Sequence, residues 1–384
     1  MRSFHVLLVV GVSGLVLGGC ASPRGVLLPV TVEPAPSPGS LVDMLVATTR
    51  APSEEPGEVF SGERGNQLSL TNIVVSVPPN RPVGSIQWPR QIPPDPSREF
   101  AVTQVDPLTR AGATRWFRNL PGNKRKVLVF VHGFNTRFDA SVFRFAQFVH
   151  DTDTNLVPIL FSWPSRGQLG SYIYDRESTN FSRSDLALVL SEAASSNKVD
   201  EVVVLAHSMG AWLTMEALRD LALSKGRVPA KITNVILASP DLDIDVFERQ
   251  MSELGPKRPD VTIFVDRNDK ALSLSRLLAG QVSRVGAVDL TKSDYAERLE
   301  QGDGVVVLDL TALRGGDALN HTKFATTPEM VQLMGTRLVA GQVIEDDSSG
   351  IGHGPAGQTV GAVGNVVGTV ATLPIQVFTG GRMN

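Results

Sequence analysis

One segment, Glu201-Val-Val-Val-Leu-Ala-His-Ser-Met-Gly-Ala-Trp-Leu-Thr-Met-Glu-Ala-Leu218, limits the possible folds more than the rest of the chain. Val202 to Leu205 is apolar and β-branched, as a strand buried on both faces requires. Leu213, Ala217, Leu218 and Leu221 recur on one face of a helix. Only a very sharp turn fits between the two, and Ser208 is its apex. Ala206 and Gly210 flank it because the turn draws strand and helix so close that larger side chains would collide. The pattern is a strand-turn-helix of the G-x-S-x-G type, with Ala206 in place of the first glycine. A plain helix-capping serine is the competing reading.

A serine held this way acts as a nucleophile only with a base, an acid that orients the base, and donors for the developing oxyanion. The donors have candidates. Lys126 to Val131 reads as a buried strand ending in His132-Gly133-Phe134, and the Phe134 N–H, or that of Gly133, lies in the following loop. The Met209 N–H follows Ser208 at a helix N-terminus and is the second donor. A simple turn at His132-Gly133 is the bland alternative.

The base is reached by elimination among six histidines. His5 lies in the leader, His150 ends a helix, and His353 sits in a Gly-rich tail. His132 belongs to the oxyanion loop, and His207 flanks Ser208 with its ring expected to point away. His321 remains, on a loop after the apolar strand Val305 to Leu310. Imidazole is the side chain suited to taking a proton near neutrality. The acid is less constrained. Asp269 follows the strand Val261 to Val265 and completes the order Ser, Asp, His. Asp266 shares its turn, and Asp241 and Asp243 follow the preceding strand, so all four stay open. Those not used are expected to be helix caps or turn residues.

Strand candidates near 127–131, 157–162, 201–205, 232–238, 261–265 and 305–310 alternate with helices near 139–150, 182–196, 209–224, 243–253, 271–279 and 328–340. Alternation predicts right-handed βαβ units and a mainly parallel sheet with helices on both faces. Residues 41–48 and 70–77 are expected as antiparallel strands at one edge. Pro78 to Asn123 is rich in proline and reads as partly irregular. Trp163 to Asn180 reads as a long loop carrying Tyr172, Tyr174, Asp175 and Arg176 at the carboxyl edge, where it could touch substrate. Pro240 to Leu242 is too short to hold a large cap domain.

These residues resemble the α/β-hydrolase superfamily, and within it a bacterial esterase/lipase-like family of unknown function. The resemblance extends to Val46-Ala-Thr-Thr-Arg50, Phe60-Ser-Gly-Glu-Arg64, Gln87-Trp-Pro89 and Phe161-Ser-Trp-Pro-Ser165, and spans roughly residues 41 to 341. It implies the fold and a serine hydrolase acting on acyl compounds, with a carboxylic ester as the expected substrate. It leaves thioesters, lipids and amides open, because one fold hosts many functions. A hydrolase-like scaffold that binds an envelope partner without turnover is the rival class.

The ends speak to location. Arg2 precedes an apolar run, Val6 to Gly19, too short to span a membrane but suited to a signal-peptide core. It ends in Leu17-Gly-Gly-Cys20, which resembles the bacterial lipobox, so residues 1–19 are expected to be removed and Cys20 to carry lipid. Ala21 resembles a sorting signal for an outer membrane, which implies a lipoprotein facing the periplasm. Cys20 is the sole cysteine, so no intramolecular disulfide can form. Residues 20–40 read as a flexible tether, 41–345 as the catalytic domain and 346–384 as a tail in which Gly357, Gly361, Gly364 and Gly368 recur. The formal net charge of −3 and the lack of a basic segment exclude nucleic acid as a plausible partner. No metal or nucleotide motif appears, and no cofactor is expected. Oligomeric state is not legible.

Overall fold

The computed structural model describes residues 23–32, 40–120, 122, 125–290, 304–340 and 375–379. Its strands are β1 (Leu41–Pro52), β2 (Phe60–Ser76), β3 (Ala101–Leu108), β4 (Arg125–Val131), β5 (Val157–Ser162), β6 (Val199–His207), β7 (Ile232–Ala238), β8 (Asp260–Val265), β9 (Val305–Asp309) and β10 (Gln376–Thr379). They form one sheet in the order β10-β9-β8-β7-β6-β4-β5-β1-β2-β3. From β1 through β9 the neighbours pair in parallel, while β2, β3 and β10 are antiparallel additions at the two edges. The expected mainly parallel sheet is what forms.

The helices are α1 (Arg110–Asn119), α2 (Phe138–Thr152), α3 (Tyr172–Ser195), α4 (Met209–Lys225), α5 (Ile244–Leu254), α6 (Lys270–Leu278), α7 (Lys323–Thr326) and α8 (Pro328–Ala340). Strand side chains alternate between the two layers they cover. Val127, Val129, Val202 and Val204 pack with Leu186, Leu213 and Leu218 of α3 and α4. Leu128, Phe130, Val203 and Leu205 pack with Val142, Phe145 and Met330 of α2 and α8 on the opposite face. Both faces are therefore buried, which is why these strands read as unbroken apolar runs.

Pro78 to Asn123 is partly irregular, as read, and supplies β3 and α1 in its second half. Three regions differ from the sequence reading. Trp163 to Asn180 is not one loop: after a short 3-10 turn at Leu169–Ser171 the chain is helical from Tyr172. Within the segment read as a tether, residues 23–32 lie on the domain. Val26 and Leu27 are fully buried, and the Leu27 and Val30 N–H groups donate to Gly57 O and Val102 O. The tail contributes β10, paired with β9, whereas Gly357, Gly361, Gly364 and Gly368 lie outside the described residues, as do His5, Cys20 and His353. No helix among the described residues is long and apolar enough to cross a membrane. The link from β7 to α5 is short, with Asp243 as the helix cap, so no cap domain is inserted there.

Candidate active site

Ser208 closes β6 and opens α4 with φ 54° and ψ −121°, a backbone conformation that an L-residue adopts only when its surroundings enforce it. Those surroundings are three backbone bonds. Ser208 N–H donates to Ala238 O at 2.9 Å, and Ser208 O accepts from Ala211 N at 3.0 Å and Asp241 N at 3.1 Å. Gly210 has no alternative. A Cβ there would stand 2.3 Å from His132 O and 2.7 Å from Val131 O, so any side chain would push α4 off β4. The Gly133 backbone runs just as near, since a Cβ on it would meet Ser208 Cβ and His207 Nδ1 at 2.9 Å. The His132-Gly133-Phe134 loop thus lies directly against the serine, beside the N-terminus of α4, where backbone N–H groups lack helical partners.

His321 stands on the loop after β9, preceded by Asn320 at φ 57°. Asp317 clasps this loop, accepting from His321 N at 2.8 Å and Thr322 N at 2.9 Å. Burial opposes ionisation of Asp317, yet these N–H donors hold its carboxyl below the usual range. His321 Nδ1 donates to Asp269 Oδ2 at 2.6 Å, and Asp269 is completely buried. A carboxylate only accepts, so the hydrogen sits on Nδ1 and the lone pair on Nε2. The structure brings His321 next to the Ser208 turn through His207, whose ring lies 4.6 Å from that of His321 and 5.0 Å from that of Phe324. His207 Nε2 donates to His321 O at 3.1 Å. Burial, and then the neighbouring His321, push the His207 proton affinity well down, so its ring stays neutral.

The remaining acids are engaged elsewhere. Asp241 pairs with Arg284 at 3.1 Å and accepts from Ser275 Oγ at 2.5 Å and Tyr172 Oη at 3.1 Å. Asp243 caps α5 through the N–H groups of Asp245 and Val246. Asp266 pairs with Lys323 at 2.7 Å. Asp269 itself also caps a helix, accepting from Leu272 N at 2.9 Å at the start of α6. Capping and contact with the histidine are therefore not exclusive roles.

Two residues that sequence reasoning left without this role frame the His132-Gly133-Phe134 loop. Arg50 is almost wholly buried, and its guanidinium donates to Ser162 Oγ, Ser61 O, Ser165 O, His132 Nε2 and Thr136 O. Burial without a carboxylate in contact pulls its pKa down to about 9. The sequence signal was its place in the Val46 to Arg50 motif. Asp175, expected near substrate, is fully buried and accepts from Ser165 Oγ at 2.5 Å, Arg166 N at 3.1 Å and Asn135 N at 3.3 Å. Tyr174 faces Glu63 and Arg166, and Arg176 stacks on Trp212. Tyr172 also borders the loop, edge-on to Phe134 with ring centres 5.3 Å apart. His132 takes Trp163 N–H at 3.1 Å on Nε2 and gives Nδ1–H to Gly133 O at 2.9 Å. A surface cavity of about 380 Å³ borders Arg50, lined by Arg24, Glu58, Arg137, Arg166 and Gln168 but not by Ser208. No group of three or more metal-ligating side chains is arranged to hold an ion among the described residues.

Among solved structures, the carboxylesterase CesB (YbfK) from Bacillus subtilis aligns at 9% identity with a TM-score of 0.33, covering 72% of this chain and 89% of that one. A point mutant of the rice cell wall degrading esterase LipA from Xanthomonas oryzae aligns at 10% identity and a TM-score of 0.34, covering 80% of this chain and all of that one. No curated protein matches in sequence. A family model does match, over residues 109–337, more than half of the chain. That span runs from α1 through β4, the Ser208 turn and Asp269 to His321, and the chain belongs to the family described as alpha/beta hydrolase of unknown function (DUF900).

Proposed function

We propose that the protein is a serine hydrolase of acyl compounds, with carboxylic esters as the preferred substrate class. Ser208 Oγ attacks the acyl carbonyl, His321 Nε2 takes its proton, and Asp269 orients the imidazole and stabilises the imidazolium. The N–H groups of Met209 and Phe134 receive the oxyanion, and water releases the acyl-enzyme with His321 again as base. The observation that carries this reading is the 2.6 Å bond from His321 Nδ1 to a fully buried carboxylate, which leaves Nε2 as an acceptor. The strained backbone of Ser208 supports it, since such strain persists where the surroundings hold a residue for a purpose.

A neutral base is required, so the rate falls on acidification, and His321→Ala removes turnover. A fluorophosphonate probe tests the chemistry directly. It should label the wild type and not Ser208→Ala, and p-nitrophenyl esters of graded chain length should be hydrolysed. Equal labelling of Ser208→Ala sinks the assignment, and no labelling of the folded wild type favours a scaffold without turnover. We place the enzyme in the cell envelope, anchored through lipid on Cys20 and facing the periplasm. Cys20→Ser should then be unprocessed or mislocalised.

A further inference from the structure

Helix α6 turns leucines to solvent. Its buried side chains are Leu272 and Ser275, while Leu274, Leu277 and Leu278 are 48%, 60% and 57% exposed. Their spacing is i, i+3 and i+4, which places them on one stripe. A single exposed leucine is ordinary, but a contiguous apolar stripe marks an interaction surface. Leu169 and Ile173, at 70% and 78% exposure, lie on the 3-10 turn and the first turn of α3. Tyr172 Oη reaches Ser275 Oγ at 3.0 Å, so the start of α3 lies against α6. They also border the candidate site. Asp269 caps α6, and Tyr172 packs on Phe134 of the oxyanion loop.

Charge and chain path indicate what covers this surface. The charged residues of α6 are Lys270 and Arg276, and neither is paired with a carboxylate among the described residues. Lys270 falls in line with the leucines, and a leucine stripe with a cation at its end suits the headgroup zone of an anionic lipid surface. The chain also enters on this side. Arg24 lines the same cavity as Gln168, the residue before Leu169. Cys20 lies only four positions earlier, a reach of at most ~14 Å in extended chain. An anchor there would hold the Leu169 side towards a bilayer.

We infer that Leu274, Leu277 and Leu278, with Leu169 and Ile173, dock the protein beside the candidate site onto an anionic phospholipid surface. Docking requires no turnover. Its consequence, that the substrate is a lipid ester drawn from that surface, rests on the hydrolase reading above.

The test uses the full chain carrying Cys20→Ser and Leu277→Cys, which leaves a single thiol for an environment-sensitive dye. Mixed phosphatidylglycerol and phosphatidylcholine vesicles should shift its emission to the blue, nitroxide-labelled acyl chains should quench it, and added salt should weaken both effects. No shift with anionic vesicles overturns the proposal. So does a dye already buried before lipid is added, which means that the chain covers its own stripe. A shift that follows protein concentration instead of lipid also overturns it, in favour of a second copy. Turnover is a separate arm. Leu274→Ser, Leu277→Ser and Leu278→Ser combined should keep the wild-type rate on monomeric p-nitrophenyl acetate and lose roughly tenfold on the same ester chemistry presented in vesicles. Equal loss on both counts against docking, whereas a wild type inactive on every ester defeats the hydrolase reading alone and leaves the dye result standing.

Discussion

The carboxylate of Asp269 bonds His321 Nδ1 with one oxygen, at 2.6 Å, and caps α6 with the other, through Leu272 N–H at 2.9 Å. The orientation of the His321 ring is thereby tied to the position of a helix. Asp269→Asn separates the two duties. Asparagine caps helices about as well as aspartate, so unfolding free energy should change by about 1 kcal/mol or less from this source. It cannot orient and charge-stabilise the imidazole, so turnover should fall by up to roughly 10⁴. Steady-state kinetics beside urea unfolding checks both, and a fast Asp269→Asn enzyme removes this residue from the mechanism.

The other candidate acids should behave in the opposite way. Asp241 and Asp266 sit in buried ion pairs with Arg284 and Lys323. Removing one partner strands a buried charge, which costs about 3–5 kcal/mol. Asp241→Asn and Asp266→Asn should therefore unfold at clearly lower urea, while the folded fraction retains turnover within roughly tenfold of wild type. Asp243→Asn, an exchange of one capping residue for another, should be close to neutral in both. A stable but inactive Asp241→Asn would move the acid to the end of β7.

Strain at Ser208 has its own signature. Glycine accepts a positive φ without steric cost, so Ser208→Gly should raise stability by about 1 kcal/mol, whereas Ser208→Ala keeps the strain and should be near neutral. Both should lose several orders of magnitude in turnover. Thermal melts of the two variants decide it: equal melting points would mean that the turn stores no strain at this residue.

How much of this was legible in sequence depends on how each part is buried. The strands from β4 to β9 lie between two helical layers and announce themselves as apolar runs. β3 is an edge strand carrying Gln104, Asp106 and Pro107, with only its first residues buried, so neither alternation nor composition betrays it. The first turns of α3 misled for a different reason. Their buried face is Asp175, Ser178, Thr179 and Ser182, small polar groups that satisfy partners such as Ser165, Arg64 and Thr49. A helix packed through polar side chains has no hydrophobic period to read. Chain order singled out Asp269 but could not reveal that Asp241 and Asp266 are held by cations distant in sequence. Arg50 is the same case, since its acceptors lie up to 115 positions away.

Acid sensitivity follows from the buried histidines. Burial, and then the Arg50 charge, lower the pKa of His132 to about 3, despite favourable bonds with Gly133 and Trp163, and His207 shifts in the same direction. In the unfolded chain an imidazole binds a proton below pH ~6.5. Between that pH and about 3 the unfolded state holds more protons than the folded one at His132, so stability falls as pH falls. His132 removes ~1.4 kcal/mol per pH unit across this window, or roughly 3 kcal/mol by pH 4.5. Asp151, held at about 2, and Asp317, held below its usual value, lose their contribution only at lower pH, under the ordinary carboxylate range. Within the interval from pH 6.5 to 4.5 the histidines lower stability, opposed by Asp175 and Asp185, whose carboxyls burial pushes up. His132→Gln should be less stable than wild type at neutral pH, because Trp163 N–H and Arg50 lose an acceptor. It should also show a shallower decline on acidification, by the slope of one group. Urea midpoints measured at several pH values give that slope, and an unchanged slope in the variant would mean that His132 is not what couples this fold to acid.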